Sequence, residues 1–282
     1  MWRVLVLMLI KLGSRDAVVV DVKFNRLESG MSNLKSFARN VYSQNGEDGI
    51  IEEVLRRLRL PDHRDFWCVE FGAWDGKHLS NTFNLVNGGN WNAVYIEGDE
   101  TKYEDLLETA ALHSKIHPIL AHVGGTHWPG ASLDALLSNT PLPLDYDLLS
   151  IDIDSHDLDV WVDHVLYSPK IVVLEINSRF PPGELKWCTD MESGCSFSSA
   201  VSVARDRGYS LICHTGNLIF VRDEFAHLLG MNALDLQYPE RLFSWDWVPK
   251  RSREGRGIRL REVRRWARSK ERVPSNAAPQ TR

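Results

Sequence analysis

The strongest chemical signal in the chain is an acid followed by closely spaced glycines, Val69-Glu-Phe-Gly-Ala-Trp-Asp-Gly76. It ends the apolar run Phe66–Phe71, so Glu70 sits at the end of a strand. Gly72 and Gly76 let the backbone turn sharply and approach a ligand closely. The pattern is not G-x-G-x-x-G, which disfavours a pyrophosphate cradle; its bland alternative is a tight β–α turn. A second acid, Glu97 in Tyr95-Ile-Glu-Gly-Asp99, ends the next apolar run. At such a position a carboxylate accepts hydrogen bonds from both hydroxyls of a ribose, while Asp99 is placed to cap the following helix.

The third signal is Asp147-Leu-Leu-Ser-Ile-Asp-Ile-Asp-Ser-His-Asp157. Side chains alternate along a strand, so Ser150, Asp152 and Asp154 would share one face. Carboxylates in a buried strand are costly unless paired, hydrogen-bonded or metal-bound. Leu174-Glu-Ile-Asn177 offers a matching pair, Glu175 and Asn177. Oxygen ligands Asp152, Glu175 and Asn177 from two strand ends would suit Mg²⁺ or Mn²⁺, and such an ion could acidify an acceptor hydroxyl. The alternative is a set of acids that only cap helices and bind cofactor. Asp154 and His156 are the candidate general bases for that hydroxyl, with Asp154 preferred because a lone loop histidine more often serves a structural hydrogen bond.

The elements that must position these residues alternate. Strand-length apolar runs lie at Phe66–Phe71, Ala93–Ile96, Ile119–Val123, Leu148–Ile153, Ile171–Ile176, Ser210–Cys213 and Leu218–Val221, with helical stretches between most of them. This predicts an α/β fold with a mostly parallel sheet and helices on both faces. The last two runs are separated only by His214-Thr215-Gly216-Asn217, too short for a crossover helix, so they form an antiparallel hairpin. Alternating β/α units ending in such a hairpin are the layout of the Rossmann-like class I methyltransferase fold. A nicotinamide-binding domain would instead continue parallel. The long stretch Ser178–Ser196, with Pro181-Pro-Gly and Trp187, reads as a functional loop such as a substrate lid.

Composition bounds the function. The chain has 282 residues, 43% hydrophobic and 25% charged, as in ordinary soluble domains. From Lys250 onward there are 12 basic and 3 acidic residues, leaving 21 basic and 35 acidic in the rest. Because the basic charge is not on the fold, specific nucleic-acid binding is not expected, although the tail could touch an anionic surface. Cys68, Cys188, Cys195 and Cys213 lack any CxxC or zinc spacing and read as thiols of a reducing compartment, hence a cytoplasmic protein. The apolar run Met1–Ile10 is well short of the ~20 residues that span a bilayer. No A-x-A-like cleavage site follows it. It reads as part of an extension over residues 1–39 that packs on the domain, with a peripheral membrane contact as the alternative. A catalytic domain over 40–249 and a basic tail over 250–282 complete the expected organisation.

Over residues 40 to 222 the chain resembles the FkbM-type branch of S-adenosylmethionine-dependent methyltransferases. The matching pieces are Ser43-Gln-Asn-Gly-Glu-Asp48, Glu70-Phe-Gly-Ala-Trp-Asp-Gly76, Ile96-Glu97, Asp147-Leu-Leu-Ser-Ile-Asp152, Gly208-Tyr209 and Asn217-Leu-Ile-Phe220. The resemblance implies S-adenosyl-L-methionine as cofactor and O-methylation of a sugar, glycan or natural-product hydroxyl. It places Gln44, Glu70, Gly72, Ala73, Gly76, Glu97, Gly98 and Asp99 at the cofactor. Glu70 would hold or help orient the methionine ammonium, and Gly72 would clear space beside the methionine chain. Two departures stand out. Ser155-His156 follows Asp154 where family members commonly have glycine, and Glu175-Ile-Asn177 replaces the adjacent Asp-Asn pair of catechol O-methyltransferase metal sites. Two further readings compete. In one, Asp152-Ile-Asp154 is the D-x-D element of a metal-dependent glycosyltransferase, which leaves Glu70 and Glu97 without work. In the other the fold serves as a non-catalytic scaffold.

Overall fold

The computed structural model describes residues 33–61, 64–188 and 194–248. Apolar residues alternate with the spacing of strands and helices, and the chain folds accordingly. In order it forms α1 (Glu47–Leu58), β1 (Trp67–Phe71), α2 (Phe83–Gly89), β2 (Asn92–Glu97), α3 (Glu100–Leu112) and β3 (Ile116–Leu120). Then come the short β4 (Val123–Gly124) and β5 (Ala131–Ser132), α4 (Leu133–Leu137), β6 (Leu148–Ile151), α5 (Asp157–Asp163) and β7 (Ile171–Leu174). Next follow α6 (Phe197–Asp206), β8 (Tyr209–His214), β9 (Leu218–Arg222), α7 (Asp223–Ala226) and α8 (Ala233–Gln237). Seven strands make one sheet in the order β3-β2-β1-β6-β7-β9-β8. All neighbours are parallel up to β7, and β9 runs antiparallel to both β7 and β8. This is the Rossmann-like class I methyltransferase arrangement, with the hairpin at its carboxyl-terminal edge.

Strand alternation divides the core in two. Val69, Phe71, Val94, Ile96, Leu149, Ile151, Val172 and Leu174 point to the face covered by Leu133 and Leu137 of α4, Trp161 of α5 and Phe197 and Ala200 of α6. Cys68, Ala93, Tyr95, Leu148, Ile171 and Val173 point to the other, under Ile50 and Val54 of α1, Phe83 of α2 and Leu106 of α3. Glu70 and Ser150 fall on this second face and are buried there as polar residues. Their placement follows from the same period of two that buries their apolar neighbours.

Several boundaries differ from the sequence expectation. The third strand runs over Ile116–Leu120 rather than Ile119–Val123 and contains Pro118. A proline is tolerated because β3 is an edge strand, where a missing N–H need not serve a neighbour. The β6 strand stops at Ile151, so Asp152 and Asp154 lie in the loop beyond it rather than on a continuing strand face. Helix α2 was not anticipated; Phe83, Leu85 and Val86 are too short an apolar group to show a helical period. At the start, the 3₁₀ turn Leu34–Phe37 belongs to the folded unit and buries Leu34, ahead of residue 40. The apolar run Met1–Ile10 and the basic tail lie outside the described residues. Among the described residues no helix is long and apolar enough to cross a membrane.

Candidate functional site

The strand order reverses between β1 and β6, and ligands of open α/β sheets bind at the carboxyl ends of strands at such a point. Gly72 and Asp152 meet there. Gly72 has φ +73°, and a methyl group on it would lie 2.0 Å from the Asp152 carbonyl oxygen. Glycine is therefore required by the close approach of the two strand ends as well as by the turn. The glycine is itself exposed, so the rim beside it is open. Ala73 beside it is buried, its N–H donating to the Ile96 carbonyl at 3.1 Å, and Gly76 lies over Tyr95 and Leu106. Trp74 and Asp154 also hold left-handed backbone, at φ 50° and 61°. For non-glycine residues this is uncommon and tends to mark functional sites.

The two strand-end acids do different work. Glu97 is 7% exposed and accepts the backbone N–H of Trp74 at 2.7 Å on one oxygen and that of Asp99 at 2.8 Å on the other. A carboxylate offers about four lone-pair sites. Two are used here, which leaves two on a carboxylate at the end of β2. Glu70, by contrast, is engaged on both oxygens by its own chain. It accepts from Ser80 Oγ at 2.6 Å, Thr82 Oγ1 at 2.5 Å and the Asn81 N–H at 3.0 Å. Burial pushes its carboxyl above the usual range, against the pull of those donors. Glu70 thereby shapes the Ser80–Thr82 turn, from which Asn81 Nδ2 reaches Ser150 Oγ at 3.1 Å. Asp99 caps α3, its Oδ1 accepting from Thr101 and Lys102. Gly98 lies under the His122 ring; a methyl there would stand 2.4 Å from His122 Nδ1.

Beyond β6 and β7 the chain assembles an acidic cluster. One oxygen from each of Asp152, Asp154 and Glu175 lies within 4.8 Å of the others. Glu175 accepts the Asp154 N–H at 3.0 Å. Asp157, which the sequence reading gave no role, is the buried support: it accepts the N–H groups of Ile153 (2.8 Å) and Ser155 (3.0 Å) and so folds the loop that carries Asp154. Burial, then the neighbouring negative charges, raises both Asp152 and Glu175 above the normal carboxyl range. The pair therefore favours a shared proton or a cation. Three hard oxygen donors crowded in this way fit Mg²⁺ or Mn²⁺. Asn177 is engaged locally, its Oδ1 accepting the Arg179 N–H at 3.2 Å, and it is Asp154 that completes the acidic group with Asp152 and Glu175.

His156 is held by its surroundings. Its Nε2 lies 3.1 Å from the Val123 carbonyl, which only an N–H can satisfy, and its Nδ1 lies 2.9 Å from Ser155 Oγ. The ring stacks on Trp128 at 4.7 Å. Both nitrogens are occupied, whereas Asp154 is exposed at the rim.

Gln44 is exposed in the turn before α1, where its carbonyl accepts from Asn40 Nδ2 at 2.9 Å. That turn is tied to the β8–β9 hairpin tip by Thr215 Oγ1, which donates to Glu47 at 2.6 Å. The described part of the 178–196 loop is strapped to the start of α6. Ser196 Oγ donates to the Glu184 carbonyl at 2.7 Å and accepts the Lys186 N–H at 3.0 Å, while Ser198 Oγ accepts the Gly183 N–H at 2.8 Å. The hydrogen-bonded turn Ser80–Thr82, the supporting Asp157 and the left-handed Trp74 were all missed from sequence; only Asp157, an acid just ahead of an apolar helical run, carried a signal.

The topology gives a Rossmann-like sheet of the class I methyltransferase arrangement, with Gly72, Glu97 and the Asp152, Asp154 and Glu175 cluster at the carboxyl ends of its strands. Among solved structures the chain is similar to M. capricolum TrmK in complex with the cofactor product S-adenosyl-homocysteine, at 12% identity and TM-score 0.36 over 79% of this chain and 88% of that one. It is also similar to a precorrin-6y C5,15-methyltransferase from Geobacter metallireducens, at 14% identity and TM-score 0.38 over 65% and 90%. A third is an O-methyltransferase family protein from Burkholderia thailandensis, at 12% identity and TM-score 0.39 over 61% and 55%. No family model and no curated protein matches the sequence. Likenesses this distant leave the function to be argued from the site itself.

Proposed function

We propose that this protein is an S-adenosylmethionine-dependent O-methyltransferase acting on a hydroxyl of a sugar, glycan or other small acceptor. The observation that carries the reading is Glu97, buried at the end of β2 with two lone pairs left over, one strand away from the Gly72–Asp152 crossing. S-adenosylmethionine, when bound, supplies a methyl group on a positively charged sulfur. Glu97 would hold the ribose, and the Gly72–Trp74 backbone would border the methionine portion, its turn steadied by Glu70 through Ser80–Thr82. Gly98 and Asp99 would flank the nucleoside, and exposed Gln44 would lie toward the acceptor side.

Asp154 is the group we assign to the acceptor proton. It is exposed, held in a strained backbone conformation and set beside two carboxyls that resist ionisation. Asp154 would accept the hydroxyl proton as the acceptor oxygen takes up the methyl group that the bound cofactor would supply. Asp152 and Glu175 would hold Mg²⁺ or Mn²⁺ beside Asp154, and the cation would lower the pKa of the hydroxyl. The glycosyltransferase alternative is disfavoured because Glu97, buried at the end of β2, has no job in it. A reaction series with S-adenosylmethionine and a panel of sugars and phenols, in Mg²⁺ and in EDTA, tests the reading by following S-adenosylhomocysteine release. Acceptor-dependent release supports it; release with no acceptor, or stabilisation only by a nucleotide sugar with Mn²⁺, would overturn it.

A further inference from the structure

The segment after α8 carries two half-exposed indoles between firm anchors. Phe243, Ser244 and Val248 are buried, at 5%, 7% and 1% exposure, while Trp245 and Trp247 between them are 36% and 41% exposed. The first anchor is a hydrogen-bonded chain. The Ser244 N–H donates to His214 Nδ1 at 2.8 Å, His214 Nε2 meets Ser178 Oγ at 2.8 Å, and Ser178 Oγ donates to the Gly216 carbonyl at 3.0 Å. Burial holds His214 down to about 4, so the ring is neutral and its Nε2–H is the donor to Ser178. Lys35 Nζ adds a bond to Ser244 Oγ at 2.7 Å.

This places Trp247 over the tip of the β8–β9 hairpin. A methyl group on Gly216 would lie 3.0 Å from Trp247 Cζ2 and 3.2 Å from Asn45 Nδ2, so an indole edge and an amide converge on one glycine. That tip stands at the carboxyl end of β7, the strand that delivers Glu175, since Leu174 pairs with Leu218. A large apolar ring fixed in place and left half in solvent, with amide groups beside it, has the composition of a ligand wall.

Resting on the methyltransferase reading above, we propose that Trp247 is the stacking wall of the acceptor subsite and that the acceptor it takes is a pyranoside. An indole face packs against the C–H face of such a ring. The Asn45 amide, beside exposed Gln44, offers donors and acceptors to the hydroxyls around its edge. A pyranoside carries several hydroxyls around its ring for those amides, where a phenol or catechol carries one or two.

The test is ¹⁹F NMR of the full chain labelled with 5-fluorotryptophan, with Trp247→Phe used to assign the Trp247 resonance. Methyl α-glucoside, α-galactoside, α-mannoside and α-rhamnoside are titrated into protein saturated with S-adenosylhomocysteine, and phenol and catechol into a parallel sample. At least one glycoside is expected to shift the Trp247 resonance. Trp247→Ala is expected to weaken that glycoside at least tenfold while S-adenosylhomocysteine affinity stays within twofold. A Trp247 resonance moved only by the phenols, or by none of the probes while S-adenosylhomocysteine binds, overturns the pyranoside wall and leaves the methyltransferase reading standing. Glycoside shifts without any S-adenosylhomocysteine binding would do the reverse. No response to either ligand would remove both.

Discussion

At the scale of single residues the account turns on which carboxylate does what. Asp154 is assigned the acceptor proton and His156 a structural role, because both His156 nitrogens already have partners. Asp154→Asn is therefore expected to lower kcat by about 10²–10⁴-fold, the span of a lost general base. His156→Asn should cost much less, and a pH–rate profile of both variants separates them. The Asp152–Glu175 pair makes a second prediction. Removing one of two mutually repelling buried acids relieves the cluster. Glu175→Gln should thus raise Tm by about 2–4 °C in metal-free buffer, corresponding to ~1 kcal/mol, and should abolish any further gain from Mg²⁺. Thermal melts with and without Mg²⁺ check both parts; a lowered Tm in EDTA would show that Glu175 is needed for packing instead.

At the scale of elements the site depends on two strand ends crossing with no side chain between them. Gly72→Ala adds a left-handed penalty of roughly 1–2 kcal/mol and drives a methyl into the Asp152 carbonyl, where overpacking costs about 1–3 kcal/mol more. Chemical denaturation should register a loss of about 2–4 kcal/mol, and a variant as stable as the parent would mean that the crossing is looser than described. The strand alternation, the hairpin at the end and the positions of Glu70 and Glu97 at strand ends could all be read from the sequence, because they follow from a period of two and from turn length. What escaped needed partners distant in sequence. The β6 strand stops two residues early because Asp157 captures the loop N–H groups. Glu70 is redirected by Ser80–Thr82, and His156 is captured by Val123, which lies 33 residues away.

At the scale of the whole molecule, the hairpin, the segment 243–248 and Ser178 meet at His214. Its ring is held neutral by burial, with the nearby Lys35 charge in support, and its folded pKa falls to about 4 from an ordinary value near 6.5. Because the folded state resists protonation, the stability this contributes is present above about pH 6.5 and is lost as pH falls toward 4. By linkage the loss is about 3 kcal/mol. Denaturation followed from pH 7 to 4 should show that slope, flattened in His214→Asn; an equal slope in the variant would assign it to other groups.

The central claim, that Glu97 holds the nucleoside of S-adenosylmethionine at the switch point, is tested most directly by calorimetric titration of S-adenosylhomocysteine into the parent protein and into Glu97→Ala. The expected result is one site in the parent. In the variant, affinity should fall by about 10²-fold, the loss of roughly two charge-assisted hydrogen bonds at the low end of their range. Equal affinity in both proteins, or no binding to the parent, would contradict the account.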